Sequence, residues 1–133
     1  MLLVTRPGSS LPPQVHPSQL DIAREIRIRW NPEYDLWHSF WFGSSSAPRM
    51  WFDQMSLMEE AIQWEDNWLV APASVAESLI QNGRAQLHAL QDPPPDRIIY
   101  YLLGPRPKSA QTKRIMELLQ ARLAQSSSIT SLL

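Results

Sequence analysis

The sequence contains no cysteine, which excludes disulfides, thiolate catalysis and cysteine-based zinc sites together. Glycine is scarce, with 4 in 133 residues, and neither a P-loop nor a G-x-G-x-x-G stretch occurs. No apolar run approaches the ~20 residues that a membrane-spanning helix needs. The opening MLLVTRPG turns polar too soon for a secretory signal. We therefore expect a cytoplasmic protein without a membrane partner.

An excess of charge of one sign is also missing. The 12 lysines and arginines balance 13 acidic residues, and no run of like charges occurs, so we do not expect these residues to contact DNA. Neither G-x-S-x-G nor H-E-x-x-H is present, and the three histidines lie far apart in the sequence. We expect no enzyme here: no catalytic residues, no metal site and no cofactor. The length predicts one domain.

Short apolar runs alternate with helical spacing along the chain. Strands are predicted at MLLVT (1–5), REIRIRW (24–30), RMWFD (49–53), WLVAP (68–72), AQLHAL (85–90) and RIIYYLLG (97–104). The last is the most apolar run and is expected to be buried on both faces. Ser74 with Glu77 forms a capping-box pattern, and Gly83 suits a helix end, which predicts a helix over 74–82. Another amphipathic helix opens at Ser109. This alternation predicts an α/β fold with a mainly parallel sheet covered on both faces.

The stretch RWNPEYDLWHSFWFG, residues 29–43, concentrates aromatic rings. A helix beginning at Pro32, with Asn31 as its cap, places four rings on one face: Tyr34, Trp37, His38 and Trp41. Leu36 and Phe40 lie elsewhere on that helix. A stacking platform for sugars or single-stranded nucleic acid would need basic residues between the rings, and none occurs from residue 31 to 48. Core or a covered interface is therefore favoured, with His38 as a hydrogen-bonding rather than a catalytic side chain.

In an open parallel sheet, ligands collect beyond the carboxyl ends of the strands. Three segments are predicted to fall there: 30–31, 53–56 and 71–74. They could hold a small polar or anionic ligand, although Asp53 would oppose an anion. The alternative, that Asn31 and Ser74 only cap helices, is about as well supported.

Four segments in order then point to a known family: VHPSQLD, EIRIRWNPEYDLWHSFWF, MWFDQMSLMEEAIQWEDNWLVAPASVAESL and DPPPDRIIYYLLGPRPKSAQTKRIMELL. They resemble the second half of the effector-binding domain of LysR-type transcriptional regulators, in a subgroup with a W-x-x-E-[YF]-x-x-W-H pattern and a PP-x-R-x-x-Y turn and strand. The resemblance runs over about residues 1–122, nearly the whole chain.

The resemblance implies a three-layer α/β/α, periplasmic-binding-protein-like (type II) effector domain, of which residues 1–125 supply a part. Lobe two would be 6–96, the crossover strands 1–5 and 97–104, the lobe-one helix 109–124, and a disordered tail 126–133. The N-terminal DNA-binding domain and most of lobe one would be absent from this chain. DNA contact is then expected only through that missing domain.

The implied function is effector sensing, with a small-molecule effector bound between lobes and a homo-oligomer, expected to be a dimer. Carried over residue by residue, the ligand-binding positions are Thr5, Trp30, Asn31, Gln54, Met55, Ser56, Pro72 and Ala73. Many members place a serine or threonine shortly after the acid of the third segment, whereas this chain reads DQMS, which leaves the polarity of the ligand open. Two alternatives remain: a stand-alone dimerisation or interaction module, and an aromatic-rich carbohydrate-binding or hydrolytic domain with exposed tryptophans.

Overall fold

The computed structural model describes residues 1–102, 104–105, 109–126 and 129–130. The chain forms two compact units, Met1–Arg97 and Ile98–Leu133.

The first unit alternates strands with helices. Its strands are β1 (Leu2–Thr5), β2 (Gln14–Val15), β3 (Ile26–Ile28), β4 (Met50–Phe52), β5 (Trp68–Ala71) and β6 (Gln86–Leu90). Its α-helices are α1 (Pro32–Phe42), α2 (Met58–Ala61) and α3 (Ala73–Gln81), with short 3₁₀ turns at Pro17–Gln19, Ile22–Arg24 and Met55–Leu57. The α/β class predicted from the alternation is confirmed.

The strand directions follow from the pairings. β1 lies between β5 and β6 and pairs antiparallel with both. β2 runs parallel to β6, and β3 runs parallel to β4. A parallel bridge between Glu25 and Trp68 relates β3 to β5. Five strands therefore run in one direction and β1 runs in the other, which gives a mixed arrangement in which the parallel direction dominates.

Two core clusters divide the side chains of the strands between them, because successive residues of a strand point to opposite faces. Val4 and Leu69 belong to one cluster, together with residues of α2 and α3. Leu3 and Val70 belong to the other, together with residues of α1. Helices thus pack against both faces of the strands that they flank.

The predicted start of α1 is correct, whereas the predicted start of α3 is wrong. The Asn31 side chain accepts the Tyr34 N–H at 2.8 Å, and α1 begins at Pro32, as predicted. By contrast, α3 begins at Ala73, before Ser74, so Ser74 is not its cap and the capping-box prediction is wrong. Gly83 does end α3, with a φ of 67° that favours glycine.

The second unit departs from expectation at its start. Residues 97–102 and Gly104 form neither helix nor strand and are exposed, so the prediction of a doubly buried strand over 97–104 is wrong for the described part; residue 103 lies outside it. The physical reason is that a strand needs a neighbour to pair its backbone groups, and no described strand pairs with this segment.

The predicted final helix is confirmed as α4 (Ala110–Ala124). The Ser109 side chain accepts the Thr112 N–H at 3.1 Å and caps it. None of the α4 residues is buried. Of the predicted tail, 126–133, only residues 126, 129 and 130 lie within the described part of the chain.

Candidate functional site at the strand ends

The first unit has a four-stranded sheet in the order β2-β6-β1-β5 and a two-stranded sheet of β3 and β4, and three strands from these two sheets end on the same side. β3, β4 and β5 run in the same direction, so their carboxyl ends lie on the same side, where open α/β sheets bind ligands. Trp30 and Asn31 follow β3, residues 54–56 follow β4, and Pro72 and Ala73 follow β5. All but one of the predicted ligand-binding residues therefore belong to this edge, which we call the carboxyl edge.

Thr5 is the exception. Because β1 is antiparallel to its neighbours, Thr5 lies opposite Trp68 and Gln86, the first residues of β5 and β6. Its side chain is buried, with its hydroxyl 2.9 Å from Nε2 of His88. The Nδ1 of His88 donates to the Pro12 carbonyl at 2.6 Å, and the Thr5 hydroxyl also lies 3.2 Å from the Arg6 carbonyl, to which it donates. Thr5 thus holds the opposite edge together and does not join the other predicted residues.

Trp30 and Asn31 are both engaged by the fold. The Trp30 indole N–H donates to the Val70 carbonyl at 2.6 Å, and its ring packs against both core clusters. The Asn31 amide oxygen caps α1, so the capping alternative holds for this residue. At the carboxyl edge these two side chains thus fix the backbone through their hydrogen bonds.

Met55 and Ser56 line an open groove of about 380 Å³ between α3 and the turn before α2. The groove is lined by three serines, Ser56, Ser74 and Ser78, by Glu59, and by four apolar residues, Met55, Met58, Val75 and Leu79. Gln54 is exposed just before the groove, while Pro72 and Ala73 are half-buried at the start of α3.

The groove has a definite chemical character. Serine hydroxyls both donate and accept hydrogen bonds, whereas an ionised carboxylate only accepts. Among the described residues, Glu59 has no ion pair, and neither lysine nor arginine lines the groove. The arrangement favours a ligand that carries hydrogen-bond donors and an apolar part over a compact anion.

A buried polar cluster lies between β3 and α1, and sequence reasoning missed its acidic member. Glu25 and His38 are 0% exposed, and Glu25 Oε2 lies 2.8 Å from Nε2 of His38. The Tyr34 hydroxyl donates to Oε1 of Glu25 at 3.3 Å. Burial first, and then the charge of Glu25, raise the pKa of Tyr34 well above its usual value. Both side chains of the pair are therefore enclosed by the fold, where each supplies the hydrogen-bonding partner of the other.

A signal for this cluster was present in the sequence. His38 was predicted on the buried face of α1, and a buried histidine requires a hydrogen-bonding partner. The strand that packs beneath α1 supplies Glu25, which shares a face with Arg27 because the two are separated by one residue. His38 is thus hydrogen-bonded to Glu25, as expected for a buried histidine.

Arginines near the carboxyl edge are already paired. Asp35 on α1 accepts from Arg27 at 3.0 Å and from Arg29 at 3.2 Å. Burial alone would raise the pKa of Asp35, but the hydrogen bonds from Arg27 and Arg29 outweigh it and lower the pKa. The Arg27 guanidinium also lies 4.5 Å from the centre of the Trp51 ring. Because Arg27 and Arg29 are already engaged in these contacts, an anionic ligand would have to compete with Asp35 for their positive charge.

Within the described ranges, no three of the histidine, aspartate and glutamate side chains gather as metal ligands. In the part of the chain that the structure covers, no helix combines the length and the apolar character required to cross a bilayer.

Comparisons of the chain with protein-family models, with curated proteins and with solved structures find no match.

Proposed function

We propose that the chain is the effector-sensing part of a LysR-type transcriptional regulator, with the three-layer, periplasmic-binding-protein-like (type II) architecture of that family. It binds a small metabolite at the carboxyl edge, between its own lobe and a second lobe. It is not an enzyme, it acts in the cytoplasm, and it self-associates. DNA contact belongs to an N-terminal domain outside this chain.

The observation that carries the proposal is where the polypeptide enters and leaves the first unit. Leu2 pairs with Ala71, so β1 starts at the carboxyl edge. The nitrogen of Met1 lies 3.2 Å from the Asp96 carboxylate, so residue 96, where the unit ends, is beside residue 1. Two adjacent crossings at the ligand-binding edge are what the family resemblance implies for the connections between lobes.

The residues that line the groove indicate which chemical groups the proposed effector carries. Glu59 and the serine hydroxyls favour hydrogen-bond donors, while Val75 and Leu79 favour an apolar portion. The proposed effector is a small amphiphilic molecule with amine or hydroxyl groups. The missing lobe would close over the opposite side of such a ligand.

Reading the coding DNA upstream of Met1 tests the identity directly. The proposal expects an in-frame winged helix-turn-helix followed by a first α/β lobe. A stop codon and a ribosome-binding site immediately upstream would remove the sensing lobe and reject the proposal.

Binding at the carboxyl edge is tested by thermal unfolding with a panel of small amines, amino acids and hydroxylated metabolites. A ligand at a hundred times its dissociation constant stabilises the folded state by about 2.7 kcal/mol. Ser56→Trp fills the groove and should abolish this stabilisation. Ser45→Trp is the matched control, since Ser45 is also an exposed serine but does not line the groove. Equal stabilisation of both variants would place the ligand elsewhere.

A second candidate function is a pure interaction module that does not sense ligands. The exposed apolar side chains of the second unit favour it, among them Ile99, Tyr100 and Leu102. It predicts association without stabilisation by any metabolite. For the carbohydrate-binding alternative, Trp37 is buried and its indole N–H donates to the Asp92 carbonyl, whereas Trp51 and Trp64 are exposed.

A further inference from the structure

Glu59 is a carboxylate without a counter-ion in the groove between α3 and the turn before α2. Among the described residues it makes no ion pair, whereas its neighbour Glu60 contacts Arg84 at 2.8 Å. Glu59 is half-buried, and the other residues that line the groove are three serines and four apolar residues. A carboxylate that is partly removed from water and has no partner is destabilised, so a positively charged group on a ligand would stabilise it.

The arginines of the first unit do not provide that positive charge, and residues 1–97 contain no lysine. Six of the seven arginines in this range contact acidic side chains outside the groove: Arg6, Arg24, Arg27, Arg29, Arg49 and Arg84. The seventh, Arg97, does not line the groove. The charge of Glu59 is therefore available to a ligand.

The near-neutral charge of the whole chain conceals an acidic first unit. Residues 1–97 contain 12 acidic residues and 7 arginines, which gives a formal net charge of −5 with the histidines neutral. Residues 98–133 contain 1 acidic residue and 5 lysines and arginines, which gives +4. The first unit therefore attracts cations and repels anions, within a screening distance of about 8 Å at physiological ionic strength. A cationic ligand is favoured even before it contacts the groove.

The groove also offers an apolar surface of limited size. Met58 and Leu79 belong to the core and are only 2% and 1% exposed, so they line the groove from beneath. The volume of about 380 Å³ is near the lower end of the roughly 300–1,000 Å³ that ligand pockets have. A ligand that fills the groove is therefore small, with an apolar part that covers Met58 and Leu79.

We propose that the effector bound in this groove is a small cationic amphiphile. Its ammonium group pairs with the Glu59 carboxylate, and its apolar part packs against Met58, Val75 and Leu79. Glu59 is then the residue that selects an ammonium group over a hydroxyl or a carboxylate at that position. The inference rests on the proposed function, because it takes the groove as the ligand site, and it adds the sign of the effector's charge and the residue that recognises it.

The first experiment titrates the full chain with three probes that share one alkyl chain and differ in the polar group: hexylamine, hexanol and hexanoate. Binding is followed at neutral pH by the shifts of the backbone amide signals of Ser74 and Ser78 in nuclear magnetic resonance spectra. Hexylamine should bind about three- to fivefold more tightly than hexanol, which is the size of an exposed ion pair, and hexanoate should bind most weakly. Added salt should weaken the binding of hexylamine but not that of hexanol.

The second experiment compares two substitutions that each remove one negative charge. Glu59→Gln keeps the shape of the side chain and should reduce the affinity for hexylamine to the affinity for hexanol. Glu33→Gln is the matched control, since Glu33 is exposed in the first turn of α1 and does not line the groove. It should leave most of the preference for hexylamine intact. Neither acid has an ion pair with another described residue, so both variants should fold, which thermal unfolding verifies.

Each other outcome overturns a definite part of the reasoning. Equal binding of hexylamine and hexanol, abolished by Ser56→Trp, keeps the groove as the ligand site but rejects a cationic effector. Equal weakening of hexylamine binding by Glu59→Gln and Glu33→Gln rejects Glu59 as the partner of the ammonium group. Binding that survives Ser56→Trp, or no binding of any probe up to its solubility limit, rejects both this inference and the groove as the ligand site.

Discussion

Replacing Glu25 by alanine should destabilise the protein more than any surface change. The substitution removes both carboxylate oxygens, which accept from Tyr34 at 3.3 Å and lie 2.8 Å from His38. The Tyr34 hydroxyl and Nε2 of His38 then lose their partners inside the core. Each buried group without a partner costs about 1–3 kcal/mol, so we expect a loss of about 3 kcal/mol or more from the free energy of unfolding. That is a large part of the ~5–15 kcal/mol typical of a domain.

The assay is urea unfolding followed by tryptophan fluorescence, with Glu60→Ala as the matched control. Glu60 lies 2.8 Å from Arg84, the same distance that separates Glu25 from His38, but the Glu60 side chain is 62% exposed. Its loss should cost at most about 1 kcal/mol. The reasoning is refuted if the two variants lose similar stability with unchanged dependence on urea, because burial would then not set the energy of the cluster.

Three further predictions concern pH and the backbone. Burial, and then the charge of Glu25, raise the pKa of Tyr34, so the protonated side chain of this residue favours the folded state below about pH 10. The wild type should therefore lose stability as the pH rises further. In urea titrations from pH 8 to 11, Tyr34→Phe should not show this loss. Asp35 has a lowered pKa because hydrogen bonds from two arginines outweigh its burial. Its contribution to the free energy of unfolding is therefore complete above about pH 4 and is lost as the pH falls through its pKa in the folded state. Asp35→Asn should accordingly weaken the loss of stability at acidic pH. Gly83→Ala should lower the midpoint of thermal unfolding and cost about 1 kcal/mol, because φ at this residue is 67°. No atom lies within 4 Å of the added Cβ, so the cost comes from the backbone conformation and not from a clash. Gly104→Ala, which is equally open but has no positive φ, should leave the midpoint unchanged.

Local signals in the sequence predicted the first unit well because they act over a few residues. Asparagine followed by proline set the start of α1, and a glycine with positive φ set the end of α3. The strand at 68–71 followed from its apolar run. The start of α3 was misplaced by one residue because Pro72, whose φ is fixed, opens the helix without a side-chain hydrogen bond.

Other features depend on contacts between distant parts of the chain, which the sequence does not express locally. The alternation in REIRIRW predicted a strand, and it places Glu25 and Arg27 on one face of that strand, which in a half-exposed sheet would be the solvent face. Both are buried, because α1 covers that second face of β3 and supplies His38 and Asp35 as partners. Likewise, Thr5 was assigned to the ligand site from its place in the family pattern, whereas the antiparallel direction of β1 carries it to the opposite edge.

The segment 97–104 shows the limit of apolar composition as a predictor. Hydrophobic residues in a row predict burial only where the rest of the fold provides a surface to receive them. Here the described chain supplies no adjoining strand, and the side chains of residues 98–102 remain exposed. In the proposed function this segment crosses to the second lobe, which would supply that surface.

The aromatic stretch at residues 29–43 divides its rings between two tasks, and the division explains why it is so rich in them. Tyr34 and Trp37 fill the core beneath α1, where each also donates a hydrogen bond, Tyr34 to the Glu25 carboxylate and Trp37 to the Asp92 carbonyl. An aliphatic side chain could supply the packing but not the bond. Trp30 works in the same way at the carboxyl edge, where its bond to Val70 locks the turn after β3 against the end of β5. Rings with polar tips are thus used where the strand ends must be held in fixed positions, and the ligand binding proposed for the carboxyl edge would need such rigidity.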